Sequence, residues 1–252
     1  MRALSLMVVL AMAGLSATVA QAAPADVAAA VAAAGRTADN VKLDANRKPA
    51  ELLAFMGLEQ GMRVIDMFGG NRYWAELIAP AVGPYGQVIV WNPTQFLNDK
   101  RKADFAEFAA RQTNTALIYT PFEAPILGTN DYDFMIMNLD YHDVYWQSEE
   151  RKIARMEPGP WLARLYSAMR PGAILAIIDH AATPGGDTRA VVEKLHRIDP
   201  AVVRADFERA GFVLEGESDI LRNPADDKSL LVFDEKIRGK TDRFAFKFRK
   251  PN

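Results

Sequence analysis

Four short apolar runs constrain this chain more than anything else in it: "MRVIDMF", "GQVIVWN", "YDFMIMNLDY" and "GAILAIIDH". Each is nearly continuous rather than alternating, so a strand made from it must be covered on both faces. The segments between them carry apolar residues at helical spacing. In "RKPAELLAFMGLEQ" these are Leu52, Leu53 and Met56, with Pro49 suited to a first turn and Gly57 to a C-cap. "YWAELIAPAVG" reads as a second helix. Phe105, Phe108 and Ala109 mark a third, and Leu162, Leu165, Tyr166 and Met169 a fourth. "TALIYT" adds a strand, "TRAVVEKLHRIDPAVVRADFERAG" one or two helices, "FVLEGESDIL" a strand, and "DRFAFKFRK" a last alternating strand. Strands buried on both faces and alternating with helices predict an α/β fold with a doubly wound, mostly parallel sheet of seven strands. The closing strand follows its neighbour without a helix, so it is expected to run antiparallel at or near the edge. Without an internal repeat or a mid-chain linker, one domain is the economical reading.

The chain has 252 residues, 50% hydrophobic and 25% charged, which suits a single core large enough to need no disulfide. A net charge of −2 gives no general attraction to nucleic acid or anionic lipid. The N-terminus stands apart. After Arg2 comes an uncharged apolar stretch that closes on Ala20-Gln21-Ala22, a small-x-small site. Its strongly apolar part, Ala3 to Leu15, is short for a membrane span of about 20 residues. Residues 1–22 are therefore expected to be a cleavable signal peptide, cut after Ala22. The mature protein would be periplasmic or secreted and keep no stable membrane anchor. With no cysteine, there is neither a lipid-anchor site nor a disulfide to mark the compartment. Residues 23–45 form an Ala-rich helix-forming segment, expected to be loosely attached, and 46–252 the α/β domain.

In open α/β sheets ligands bind at the carboxyl ends of the strands, and polar residues gather there in this sequence. Asp66 leads into a turn with Gly69 and Gly70; Trp91-Asn92, "TPFEAP", "NLDYHDVYW" and "DHAATPGG" follow the later strands. "VIDMFGGNRYWAELIAP", "GQVIVWNP", "YDFMIMNLDYHDVYW", "MRPGAILAIIDH", "LHRIDPAVVRADFERAGFVLEGESDILRNPADD" and "RGKTDRFAFKFRKP" occur in that order. Together they resemble the predicted exported methyltransferases of bacteria, a branch of the class I S-adenosylmethionine (SAM)-dependent superfamily, over Arg36 to Asn252. The resemblance implies a Rossmann-like methyltransferase fold, SAM as cofactor and a small-molecule acceptor. It places Asp66 and Gly70 on the acid and middle-glycine positions of the cofactor turn. Phe68 and Arg72 stand where two further glycines are usual, and Asn92 where an acid usually binds the ribose. Phe68, Gly69, Asn138 and, for the adenine, Glu123 complete the implied cofactor set.

The chain's three histidines are His142, His180 and His196. The first two follow adjacent predicted strands, with Asp140, Asp143 and Asp179 beside them. An imidazole held by a carboxylate is a general base near neutral pH, which makes His142, His180 and Asp143 the catalytic candidates. His196 reads better as a surface or capping residue. Among the aromatics, Trp91 and Tyr141 are candidates for stacking on a ligand, and "SEERKIAR" reads as a solvated face or a mobile lid. Two other functions stay open: an exported ligand-binding module, and a hydrolase in which the His/Asp groups hold a divalent metal, the metal being the less favoured.

Overall fold

A computed structural model describes residues 23–252; the expected signal peptide lies outside the described residues. The strands are β1 (Arg63–Met67), β2 (Gln87–Pro93), β3 (Thr115–Thr120), β4 (Tyr132–Asn138), β5 (Met169–His180), β6 (Val213–Ser218) and β7 (Arg243–Arg249). They form one sheet in the order β3-β2-β1-β4-β5-β7-β6. The first five are parallel, and β7 runs antiparallel to both β5 and β6. No helix separates β6 from β7, and β7 returns antiparallel; it takes the place beside β5 and leaves β6 at the edge.

Period-two alternation divides the buried strands between two cores. Val64, Val88, Val90, Phe134 and Ile136 face one side, together with α4 (Pro49–Met56), α5 (Tyr73–Ala81) and α6 (Asp99–Arg111). Ile65, Ile89, Met135, Met137, Leu175 and Ile177 face the other, under α7 (Pro158–Ala168) and α9 (Pro200–Arg209). Leu52, Leu53 and Met56 are fully buried, as their spacing predicts; each such side chain contributes about 1.5–3 kcal/mol. Gly57 caps α4 with φ 78°, a left-handed conformation that glycine adopts without strain. The long 188–209 segment divides into α8 (Thr188–Leu195) and α9 because Asp199-Pro200 begins a new helix: Asp199 caps it and Pro200 takes its first position. Met169, which the helical spacing assigns to α7, instead opens β5.

The Ala-rich segment is not loose. It holds α1 (Val27–Ala32), α2 (Ala38–Val41) and α3 (Asp44–Arg47), and Val27 and Ala30 are buried in the α4/α5 core. Polar clamps add to this packing. Arg36 forks onto Asp44 at 2.6 and 2.8 Å, Tyr73 Oη donates to Asp44 at 2.8 Å, and Asn40 Nδ2 donates to Glu76 at 3.0 Å. The start of the segment pairs with Leu58–Gln60 before β1, whereas α2 and α3 roof the turn at the carboxyl end of β1, where Asn40 Nδ2 also donates to Asn71 O. Between β1 and β4 the winding reverses, and in open α/β sheets the ligand crevice lies at such a switch point, here beside α2 and α3.

Candidate active site

Strand register builds the site. Asp66 lies opposite Val90 and Ile136, Asn138 opposite Ile178, and His180 opposite Arg243. Counting in twos, Asn92, Asp66, Asn138, His180 and Arg243 form a row on one face across β2, β1, β4, β5 and β7. All five are buried. Asp66 Oδ2 and Asn138 Oδ1 have no hydrogen-bond partner. Burial raises the Asp66 carboxyl to about 7, against the pull of Arg47 and the Ala75 backbone. Arg47, from α3, stacks its guanidinium 4.2 Å from the Tyr73 ring centre. Among the described residues that guanidinium has neither a hydrogen bond nor an ion pair. Burial lowers its pKa, while the charges of Asp140 and Asp66 are among those acting the other way. Two orphan acceptors thus lie at the carboxyl ends of β1 and β4, at the switch point, with the unpaired Arg47 near enough for its charge to act on Asp66.

Beside them lies a histidine cluster. A short 3-10 turn, Tyr141–Tyr145, presents His142 to the end of β5. Asp179 Oδ1 lies 2.8 Å from His142 Nδ1, and Asp179 also accepts the backbone N–H groups of His142 and His180 at 2.9 and 2.7 Å. Asp143 Oδ1 is 3.4 Å from His142 Nε2. The ring centres of His180 and His196 lie 5.9 and 5.6 Å from that of His142. Burial alone would lower the His142 pKa, but Asp179 and Asp143 outweigh it and raise it to about 9. Burial brings His180 down to about 3, and burial together with the His142 charge brings His196 to about 4. At neutral pH, then, His142 carries the proton that sequence reasoning leaves off it, and the other two rings are neutral. Burial and then the Asp143 charge raise Asp140 well above the carboxylate range. His196 caps α8 in a left-handed conformation, φ 50°, and also reaches this cluster, between His142 and Trp146. Among the described residues no group of three or more His, Asp or Glu side chains is arranged to hold a metal ion.

The glycine turn is built differently from its sequence impression. Phe68 and Arg72 both adopt left-handed backbone, φ 58° and 62°, so the turn keeps a glycine-type path without glycine there. A Cβ on Gly69 would collide with Asp66 Oδ2, and one on Gly70 would come 2.5 Å from Asn92 Oδ1. These glycines make room for the protein's own acceptors. The Phe68 ring packs edge-on against Trp91 and Phe122, at 4.9 and 5.0 Å. Asn92 Nδ2 donates to Pro93 O, and Glu123 accepts from Gln95 Nε2 at 2.8 Å. Asp66, Asn138 and Arg47 are chemically suited to the ammonium and carboxylate of a SAM-type ligand. On the side where such a ligand's nucleoside would lie, the Phe68 ring packs on Trp91 and Phe122, and Gly70 leaves no room for a side chain beside Asn92 Oδ1. Trp91 and Tyr141 are fully buried and unavailable for stacking; Tyr141 donates to Asp206 at 2.7 Å within the core. "SEERKIAR" forms an exposed turn closed by a Ser148–Ile153 bridge and anchored by buried Ile153.

Sequence reasoning overlooks Arg47, Thr241 and Arg243. Arg47 precedes a helix-starting proline and carries no motif. Arg243 shares its strand face with Ala245, Lys247 and Arg249, which the alternation reads as the solvent side, so only the fold reveals its burial.

No family model matches the chain, and no curated protein does. Solved structures do. A SAM-dependent methyltransferase from Aquifex aeolicus is 19% identical, with a TM-score of 0.55, over 85% of this chain and 100% of that one. An S-adenosylmethionine-dependent methyltransferase from Mesorhizobium loti is 15% identical, with a TM-score of 0.57, over 82% and 99%. A Burkholderia thailandensis 1,6-didemethyltoxoflavin N1-methyltransferase, solved with S-adenosylhomocysteine, is 15% identical, with a TM-score of 0.52, over 86% and 80%. At these identities the likeness is one of architecture: the chain has the Rossmann-like fold of the class I SAM-dependent methyltransferases.

Proposed function

We propose that the protein is a SAM-dependent methyltransferase acting on a small acceptor. The observation that carries this reading is the pair of orphan acceptors at the switch point, Asp66 Oδ2 and Asn138 Oδ1, with the unpaired Arg47 guanidinium near enough to act on Asp66. Two acceptors and a cation complement an α-ammonium and an α-carboxylate. SAM, when bound, supplies a methyl group already activated for displacement. The chain's own part is to orient and to move a proton. Asp66 and Asn138 accept from the ammonium, and Arg47 donates to the carboxylate. His142, oriented at Nδ1 by Asp179, handles the acceptor's proton at Nε2, beside Asp143. With its pKa near 9, its basic form grows as pH rises, so turnover should climb between pH 7 and 9.

Calorimetry of SAM and S-adenosylhomocysteine on the mature chain tests the reading. Saturable binding that Arg47→Ala weakens at least tenfold is expected. An absence of heat at millimolar ligand would overturn it and favour a second reading, an exported binding module, which the packing of the Phe68 ring supports. The same reading has the chain exported and cut after Ala22. The new N-terminus would then sit where Ala23 O accepts from Gln60 N at 2.9 Å. N-terminal sequencing of the periplasmic fraction should begin at Ala23; an intact Met1 there would refute cleavage.

A further inference from the structure

Beside Thr241, the hydrogen-bond partner of His180, lies a cavity that the site above does not use. It measures about 200 Å³ and is lined by four basic residues, Lys48, Arg222, Lys240 and Arg243, with no carboxylate among its lining residues. Arg222 is neutralised nearby, forking onto Asp242 at 2.7 and 3.0 Å. The other three have no acidic partner among the described residues. Lys48 Nζ donates to Ile220 O at 2.8 Å. Arg243 is only 6% exposed, donates through Nη2 to Asn46 O, and leaves Nε without an acceptor. A buried guanidinium with an unused donor is costly unless an anion completes it. Burial, followed by the Arg47 charge, lowers its pKa to about 10, so the protein's own fold strains this cation rather than satisfying it.

We propose that this cavity is an oxyanion site that holds the phosphate or carboxylate end of the methyl acceptor. Guanidinium and ammonium groups recognise such oxyanions by charge-assisted hydrogen bonds, which Arg makes in a fork. Its position ties it to the chemistry. Arg243 pairs with His180 across the β5–β7 ladder, and Thr241, which lines the cavity, lies 2.7 Å through Oγ1 from His180 Nδ1. An acceptor anchored there by its acidic end would extend its nucleophile along the row toward His180 and His142. The anion site rests on the basic lining and the incompletely bonded Arg243; that its occupant is the acceptor rests on the methyltransferase reading.

The test is titration of the full mature chain with inorganic phosphate and, in a second arm, with acetate, by calorimetry at low salt. Lys48 and Lys240 are both exposed, so the double variant Lys48→Gln/Lys240→Gln should fold normally. One phosphate per chain, weakened at least tenfold in that variant and unchanged in Lys236→Gln, is expected. Acetate binding with the same variant profile would extend the site to carboxylates, and phosphate binding alone would narrow it to phosphorylated acceptors. Absence of saturable binding for both ions, or binding indifferent to the double variant, would overturn the proposal. SAM calorimetry on the same preparation separates the two ideas. SAM binding without anion binding leaves the methyltransferase reading intact and removes this one. Anion binding without SAM binding keeps the site and removes the acceptor assignment.

Discussion

Phe68 and Arg72 illustrate how a residue can be unlike its backbone. Both hold φ near +60°, which costs a non-glycine residue about 1 kcal/mol. Phe68 offsets that with its ring, packed on Trp91 and Phe122. Phe68→Gly should relieve the backbone yet lose packing of roughly 3–5 kcal/mol, lowering Tm by roughly 5–15 °C. The same change clears the side where the nucleoside would lie, so SAM should bind more tightly in calorimetry. Unchanged affinity would mean that the ring does not gate the pocket. His142 offers a second residue-scale check. Its folded pKa is raised, so its contribution to stability is complete below its unfolded value, about 6.5, and is lost as pH rises through about 9. Asp179 is held below the usual carboxylate range, so its share is present above about 3.9 and lost as pH falls below that. NMR titration of labelled histidines should find one midpoint near 9 and none for His180 or His196 above pH 5. In Asp179→Asn the high midpoint should fall; if it does not move, Asp179 is not what holds the proton.

At the scale of elements, α2 and α3 matter more than their four residues each suggest. They are too short to be stable alone, and side-chain clamps rather than helix propensity keep them over the turn after β1. Asp44 is the keystone, accepting from both Arg36 and Tyr73. Asp44→Ala should cost roughly 2–3 kcal/mol. Hydrogen exchange over 36–47 should speed up far more than exchange in β1, because the roof can open without the sheet. Uniform acceleration through both would show instead that roof and sheet unfold as one unit. SAM binding should weaken in parallel, since Arg47 is carried by this roof.

On the scale of the whole molecule, one buried ion pair joins the α8–α9 turn, beside the carboxyl end of β5, to the long 219–242 connection. Arg197 and Asp226, with fully buried side chains, meet at 2.7 and 3.0 Å; Arg197 also donates to Ala181 O and Leu230 O, and Asp226 accepts Asp242 N–H. Asp226→Ala strands a guanidinium in the interior and should cost roughly 3–5 kcal/mol, or roughly 6–20 °C in Tm. Arg197→Met with Asp226→Leu should recover most of that loss in the same thermal scan. If the double variant is no better than the single one, the pair contributes more than mutual neutralisation.

The sheet was legible in the sequence because burial on both faces leaves a continuous apolar run that no other element explains. "VIDMF", "FMIMN" and "AILAIID" each became a central strand, and the missing helix before "RFAFKFR" foretold its antiparallel run. The polar strand ends were legible for the same reason, since a parallel sheet sends its carboxyl ends to one edge. Local signals could not reveal what faces them. Arg47 and Arg243 lie 196 residues apart in sequence (243 − 47 = 196), yet the charge of one lowers the pKa of the other. His142 takes its protonation state from Asp179, 37 positions away. Sequence alone determined the architecture and the edge where chemistry can occur, because these follow from periodicity and solvent exclusion. Only the tertiary structure decided which charges are paired, which acceptors are orphaned and which rings are packed, because desolvation and Coulomb energies depend on distances that the chain sets only once folded.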